Sequence, residues 1–440
     1  MLKISKQINN PFLLIFINVL LITAAQLIGS TVIIAAALLV YLATMLISDD
    51  ENVFPLMLFF LPWSTILKLS PSSISFYSIS TILVFGKYVI KYKKIEGRSF
   101  IPVMLLCIVT LLSKFIHSYS IAPSFLMFFI MLVAFPMLFQ VLKDKINFET
   151  CVIFFSLGII SATIISLIFS TNPNMVRYIE VIEQENIGIR RLCGFYGDPN
   201  FYSAQIVTAI CGLLLIITKK TRKKTFEIAL ALLLFTCGTI SVSKSFLICI
   251  LTVFTLWLLF ELYYKPSKFI GSIFAVAVVG TVLVSIGLFD NIIEQYQIRF
   301  VGVNDSSSLT TGRVDLWVEY AHFLIKNPFD LFFGQGYTNI YNGVSRASHN
   351  TLIELLYQFG IIGFLFLVAW LHAFKIKLNT HRCILLYVVW GVACFAMWIG
   401  LDLMFLDDFF VNITLFSTGC NYIINKNNCS NQKQKTPNEG

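Results

Sequence analysis

Charge is what this sequence has least of: Asp, Glu, Lys and Arg make up only 12% of its 440 residues, against roughly a quarter in an ordinary soluble domain. No stretch is polar enough for a cytosolic catalytic module, a Rossmann unit or a nucleic-acid reader of ordinary size, so no nucleic-acid partner is expected. Histidine is scarce as well. The five (His117, His322, His349, His372, His381) never recur at i+4, which excludes a zinc helix of the HExxH kind. Ten cysteines run from Cys107 to Cys429 without a CxxC or a Cys/His cluster at metal-ligand spacing, and they read as packing residues. Neither a metal nor a cofactor is expected from this pattern.

What the chain has in abundance is apolar sequence: 57% of residues, 42 of them Phe, with a mean hydropathy of +0.82. Apolar runs fall at about 11 to 29, 31 to 47, 53 to 69, 74 to 90, 100 to 117, 121 to 142, 149 to 169, 200 to 218, 226 to 243, 245 to 264, 269 to 289, 349 to 374, 383 to 400 and 403 to 424. At about 20 residues per membrane-spanning helix, fourteen spans use roughly 280 residues and leave about 160. That predicts an all-α, polytopic membrane protein of about 12–14 transmembrane helices with no large soluble domain. The short basic start and the run from Pro11 to Gly29, without a clear cleavage site, read as an uncleaved first span.

The net charge of +9 fits that class, because cytoplasmic loops of polytopic proteins collect Lys and Arg. With the amino terminus inside, the inner loops hold Lys87/Lys91/Lys93/Lys94/Arg98, Lys143/Lys145, Lys219/Lys220/Arg222/Lys223/Lys224, Lys265/Lys268 and Lys375/Lys377/Arg382. With the tails included, about 22 of the 32 Lys and Arg then lie inside. The third span fits least well: it is short and contains Pro55 and Pro62.

The predicted organisation is an amino-terminal bundle (1–169), a first outer loop (170–199), further spans (200–289), a large outer loop (290–348), carboxy-terminal spans (349–424) and a disordered cytoplasmic tail (425–440). The large loop contains an amphipathic helix at Thr311 to Lys326. There Val314, Trp317, Val318, Ala321, Leu324 and Ile325 recur at helical spacing, as in a helix lying at the membrane interface. No fixed repeat and no matched pair of broken helices in two halves, a mark of many secondary transporters, is apparent.

Chemistry would sit on the outer loops. Arg190 and Arg191 precede a span on the side that the inside-positive pattern disfavours. Guanidinium forks bind phosphate oxygens bidentately and stay charged when desolvated; headgroup contact or ion pairs with Glu180, Glu183 or Glu185 are the competing readings. Asp198-Pro199 has the form of an N-cap followed by Pro at N1, leading to Asn200. Arg313 opens the amphipathic helix, either as part of an anion cradle or as an interface anchor. Gly334-Gln335-Gly336-Tyr337 leads to Ser348-His349-Asn350, where Ser348 is expected to cap the next span. That would put His349 on the first turn, neutral beside the positive helix end and able to take a proton, or simply an interfacial polar residue. Lys244 lies in a tight Ser-rich turn, as a further cation or a snorkelling Lys. Asp402, Asp407 and Asp408 edge the last span, either to pair with the arginines or to bind sugar hydroxyls. Phe195, Tyr196, Tyr202, Trp317, Tyr337 and Tyr341 offer faces for pyranose stacking, or serve as interface aromatics.

Together these residues resemble the O-antigen ligase/polymerase superfamily of bacterial envelope glycosyltransferases, the Wzy and WaaL types. The resemblance is carried by Arg191, Gly194 and Asp198-Pro199-Asn200 before a span, the turn at Lys244, Gly312-Arg313-Val314-Asp315-Leu316-Trp317, Gly334-Gln335-Gly336, and His349-Asn350 followed by Gly360-Ile361-Ile362-Gly363. It covers about residues 185 to 365. Lys244 stands where the family more often has Arg, and Gln358 near where it often has an acidic residue.

The resemblance implies a GT-C-like enzyme of the bacterial cytoplasmic membrane. It would transfer a glycan from an undecaprenyl-diphosphate carrier on the outer face, without metal or nucleotide and with inversion. Arg191 and Arg313, with Lys244 and Arg190, would hold the diphosphate, and His349 would act as base. Asn350, Asp198, Asn200, Gly336 and Tyr337 would complete substrate binding. The implied partners are undecaprenyl-diphosphate-linked oligosaccharide, membrane lipids and a chain-length regulator. A repeat-unit polymerase is the favoured form, a ligase to a lipid A core the next, and a lipid-linked oligosaccharide flippase the alternative from another class. The whole reading requires Arg191, Arg313 and His349 to converge in one outer cavity.

Overall fold

The computed structural model describes residues 10–93, 97–176, 178–179, 182–184, 189–191, 193–220, 224–264, 266–285, 290–300, 310, 312–338, 340–341, 343–376, 384–404 and 406–432. Helix occupies every predicted apolar run. The first seven are α1 (Pro11–Ile28), α2 (Thr31–Ile47), α3 (Val53–Phe60), α4 (Phe76–Tyr92), α5 (Gly97–Ile116), α6 (Pro123–Leu142) and α7 (Phe148–Ile168). A two-stranded antiparallel ribbon, β1 (Ile182–Gln184) and β2 (Ile189–Arg191), precedes α8 (Pro199–Lys219), α9 (Thr225–Ile240), α10 (Lys244–Tyr264) and α11 (Pro266–Ser285). The large loop carries α12 (Asp290–Phe300), α13 (Arg313–Lys326), α14 (Pro328–Phe333) and a second ribbon, β3 (Ile340–Tyr341) with β4 (Val344–Ser345). The chain finishes with α15 (Thr351–Leu371), α16 (Ile384–Phe395) and α17 (Asp407–Gln432).

This is an all-α polytopic membrane protein. Among the described residues six helices are long and apolar enough to cross a membrane: α1, α6, α7, α8, α10 and α15 with its 3-10 extension to Phe374. Shorter apolar helices among the described residues are Thr31–Ile47, Val53–Trp63, Phe100–Ile116, Thr225–Ile240 and Ile384–Ile399.

Three departures matter for the site. The run at 53 to 69 is an eight-residue α3, buried on all sides, then a 3-10 turn at Leu61–Trp63 and irregular chain to Ser75. Its eight helical residues are all apolar, and α3 packs against α7 so closely that a Cβ at Gly158 would lie 2.2 Å from the Phe59 carbonyl oxygen. α15 is broken at Gly360, whose φ of 63° and ψ of −175° leave the helical region. The carbonyls of Tyr357 and Gln358 freed there accept from Gln335 N at 2.8 Å and Gly336 N at 2.9 Å. α17 runs on to Gln432, past the predicted end at 424, so the start of the tail is helical; 433–440 lie outside the described residues.

The helix ends sort onto two faces. On one, Asp50 gathers Lys91 at 2.6 Å, Lys145, Tyr92 and Tyr88, while Lys87 Nζ donates to Ser48 O at 2.6 Å. Lys220 meets Glu227 there, and Tyr422 donates to Glu149 at 2.7 Å. These come from loops predicted to share a side. The candidate residues lie at the opposite helix ends.

Candidate functional site

α8 is almost wholly buried and supplies the floor of the site. Asp198 caps it as expected, accepting from Asn200 N at 2.6 Å with Pro199 at N1. Asn200 then acts as a bracket: its side-chain oxygen accepts from Arg191 Nη2 at 3.4 Å and Ser243 Oγ at 2.8 Å. Arg191, 6% exposed, also donates through Nε to the Ser241 carbonyl at 3.3 Å. The ribbon β1–β2, the start of α8 and the Ser241–Ser243 turn are thereby fixed to one another. Lys244 follows as the first residue of α10, with its ammonium 5.2 Å from the Phe300 ring. The backbone of Arg190 pairs with Glu183 in the ribbon; its side chain lies outside what is described.

Arg313 opens α13 as predicted, after Gly312 at φ 78°. Its Nη1 donates to the Gly400 carbonyl at 2.6 Å, which ties the loop helix to the irregular segment between α16 and α17. Residues buried on α13 are Leu316, Tyr320 and Leu324, one i, i+4, i+8 stripe. The predicted apolar stripe is mostly elsewhere: Val318 and Ile325 are 49% and 69% exposed. Tyr320, off the predicted stripe, is buried: its hydroxyl donates to the Arg346 carbonyl at 2.9 Å and its ring stacks on Tyr341 at 4.3 Å. One turn after Arg313, Trp317 Nε1 donates to the Ser348 carbonyl at 3.2 Å. The same helix therefore carries Arg313 and holds the chain next to His349.

The cap of α15 differs from expectation. Asn350, not Ser348, is the N-cap, with its side-chain oxygen accepting from Leu352 N at 3.0 Å and Ile353 N at 3.1 Å. Ser348 cannot reach the helix because its hydroxyl turns back on Asn350, donating to the Asn350 carbonyl at 3.0 Å and accepting from Asn350 N at 3.2 Å. His349 thus sits before the cap rather than on the first turn, in the left-handed region at φ 53°. Such a conformation is costly for a non-glycine residue and persists only where its surroundings enforce it. The enforcing contacts are Trp317 on the Ser348 carbonyl and Glu354 Oε2 accepting from Ser348 N at 3.1 Å.

The imidazole is open to solvent on one side. Partial burial pulls its pKa below the ordinary histidine value, the cations of Arg313 and Arg346 pull it further, and Asp198 opposes them. The cause is burial and neighbouring charge, not the helix end. Partial burial also lowers the guanidinium of Arg313, again opposed by Asp198. Asp198 is therefore the electrostatic neighbour that His349 and Arg313 share, and it adjoins the Asn200 bracket that holds Arg191.

Beside this cluster lies a cavity of about 520 Å³. Asp198 and Tyr337 line it; Arg191, Arg313 and His349 are not among its lining residues. Sequence reasoning missed its other wall, the chain from Ser64 to Ser78, with Lys68 among the serines. The available signal was the density of Ser and Thr at the end of an apolar run.

Gly336 and Tyr337 divide in role. Gly336 has φ 88°, and a Cβ there would come within 2.6 Å of Lys114 N, so glycine is required for close approach to α5. It is buried with its N–H on α15, a structural position rather than a substrate contact. Tyr337 packs its ring on Phe128 at 5.1 Å, and its carbonyl accepts from Lys114 Nζ at 3.0 Å. Of the other aromatics, Tyr196 also lines the cavity, whereas Phe195 packs on Trp63 and Tyr202 bonds to Thr163, both buried.

No curated protein matches the chain. A family model described as O-antigen ligase matches residues 228–368, a stretch that holds Lys244, Arg313, Gly336, Tyr337, His349 and Asn350 but not Arg191, Asp198 or Asn200. Over that stretch, about a third of the chain, this multi-pass membrane protein is similar to the O-antigen ligase family, whose chemistry is in general of the glycosyl-transfer type.

Proposed function

We propose that this protein transfers a glycan from a polyprenyl-diphosphate carrier to a sugar hydroxyl on the outer face of the cytoplasmic membrane. The observation that carries the reading is the pairing of Arg313 with His349 through one helix: Trp317 of α13 bonds the Ser348 carbonyl beside His349, and Asp198 acts electrostatically on both side chains.

The chemistry follows from those groups. Breaking the anomeric C–O bond leaves negative charge on the carrier diphosphate, and fixed cations already in place stabilise that charge without reorganisation. Arg313 is held by a neutral carbonyl, and among the described residues it forms no ion pair, so its charge remains to meet a diphosphate. Arg191 and Lys244 stand on the same face and would extend the cation set, with Arg190 beside them in sequence. A base must take the proton of the attacking hydroxyl. His349, with its pKa below the ordinary value, is neutral at pH 7 and in the correct state to accept it. Attack from the face opposite the diphosphate inverts the anomeric carbon.

We favour the polymerase form, in which donor and acceptor are both lipid-linked repeat units. The matched family's description favours ligation to another acceptor as the second reading. Glycan sizing in a deletion strain separates them: loss of a polymerase leaves single repeats, and loss of a ligase leaves long chains on the carrier. The mechanism is tested with His349→Ala. Membrane insertion is expected to be retained and transfer from purified lipid-linked donor to be lost; normal transfer would remove His349 from the reaction.

A further inference from the structure

The cavity of about 520 Å³ is left unused by the diphosphate chemistry, and its walls have a composition of their own. Hydroxyls come from Ser64, Thr65, Ser75, Ser78 and Ser124, carboxyl groups from Asp198, Asp407 and Asp408, and one ammonium from Lys68. Phe128, Phe201 and Tyr337 supply ring surface.

The two adjacent carboxyl groups differ. Asp408 is 4% exposed, and both its oxygens are occupied, one by the Tyr196 hydroxyl and the other by Gln205 Nε2 at 2.8 Å. That group is part of the scaffold. Asp407 receives the single hydroxyl of Ser78, at 3.1 and 2.9 Å from its two oxygens. A carboxylate offers roughly four lone-pair positions, and the proton from Ser78 occupies few of them on this cavity-lining side chain.

Three occupants can be compared. A diphosphate would meet three carboxyl groups against one lysine. A polyprenyl chain would strip water from Asp407 and the serine hydroxyls and give nothing in return. A sugar suits both halves of the wall, since its hydroxyls can donate to Asp407 and to the Ser78 oxygen, whose own proton is given to Asp407, and accept from Lys68, while its C–H face lies on the aromatic rings. The volume falls within the roughly 300–1,000 Å³ of small-molecule sites. Asp198, at the boundary, places the occupant next to His349 and Arg313.

We propose that this cavity is a glycan-binding pocket, with Asp407 as the acceptor of sugar hydroxyl protons and Ser78 as the group that orients it. The proposal rests on the glycosyl-transfer reading and adds where the sugars are held. The sugars belong either to the lipid-linked donor or to the acceptor, and the same pocket chemistry serves both.

The test uses the full-length protein in lipid nanodiscs with two probes: the oligosaccharide repeat released by mild acid from the cell's own envelope glycan, and undecaprenyl monophosphate. Asp407→Asn and Ser78→Ala are expected to weaken oligosaccharide binding about tenfold or more, the cost of a lost hydrogen bond to a carboxylate, while binding of the phosphate lipid is retained. In a transfer assay, the KM that rises identifies the source: that for lipid-linked donor or that for free oligosaccharide acceptor. Oligosaccharide affinity and both KM values unchanged in the two variants would overturn the pocket. Binding of undecaprenyl monophosphate without any oligosaccharide binding would overturn it too, leaving the diphosphate reading intact. Oligosaccharide binding that depends on Asp407, with no binding of the phosphate lipid, would support the pocket and defeat the diphosphate reading.

Discussion

Asp50 and Arg313, on opposite faces of the helix bundle, are held in different ways. On the face of the basic loops, Asp50 is surrounded by Lys91, Lys145, Tyr88 and Tyr92, and Lys220 meets Glu227. Burial pushes the Asp50 carboxyl up, but those donors outweigh it and hold it below the usual carboxylate range. On the other face Arg313 is fixed by the Gly400 carbonyl, and Arg191 is bonded to the Ser241 carbonyl and the Asn200 amide oxygen. A charge matched by an opposite charge stabilises structure, whereas a charge oriented by a neutral dipole, as Arg313 is by the Gly400 carbonyl, keeps its field for something else. The contrast separates structural ion pairs from candidate chemistry without reference to sequence motifs.

The contrast can be broken most directly at Arg313. Arg313→Ala is expected to lower transfer about 10²–10³-fold, as for other groups that stabilise charge developing in a transition state. Arg313→Lys is also expected to be damaging, because an ammonium cannot reproduce the planar fork. Activity near wild type in Arg313→Lys, measured with purified lipid-linked donor, would reduce Arg313 to an anchor for Gly400.

Asp50→Asn should give the reverse pattern. It removes the anion that Lys91 and Lys145 share, so the thermal midpoint is expected to fall by a few degrees with the transfer rate unchanged. Because the native pKa of Asp50 is depressed, its stabilisation is present above the unfolded carboxylate pKa and is lost as pH falls toward the native value. A large loss of transfer at unchanged stability would join the two faces functionally.

The smallest effect sharpens the electrostatics around His349. The base works unprotonated, so transfer should rise with pH, with the midpoint of the rise below the ordinary histidine value of about 6.5. Arg346 helps hold that pKa down, so Arg346→Gln should move the acid limb of the pH–rate profile to higher pH, and Asp198→Asn should move it lower. A profile unmoved by both would assign the titration to another group.

Much of the fold was legible because lipid imposes a simple rule: backbone polar groups must be satisfied within the segment, so apolar runs become helices. The N-cap at Asp198 and the start of α13 at Arg313 were legible too, since both depend on neighbouring residues in sequence. The break of the third run, the buried face of α13 and the cap of α15 were not. Ser348 and Asn350 are both good caps by composition, and the choice between them was made by the Trp317 and Glu354 bonds to Ser348. Those partners lie 31 and 6 residues away.

By itself the sequence determined the class of the protein, the order of its helices and the set of ionisable groups available at the helix ends opposite the basic loops, because hydropathy and charge are local properties. Tertiary structure alone decided that Arg313 is oriented by a neutral oxygen, that Arg191 bonds to the Ser241 carbonyl, that His349 sits outside its helix, and that Asp407 lines a cavity while Asp408 is bonded into the wall. Those outcomes depend on donors and acceptors brought together from segments up to 329 residues apart, as Ser78 and Asp407 are, and no local pattern encodes such a pairing.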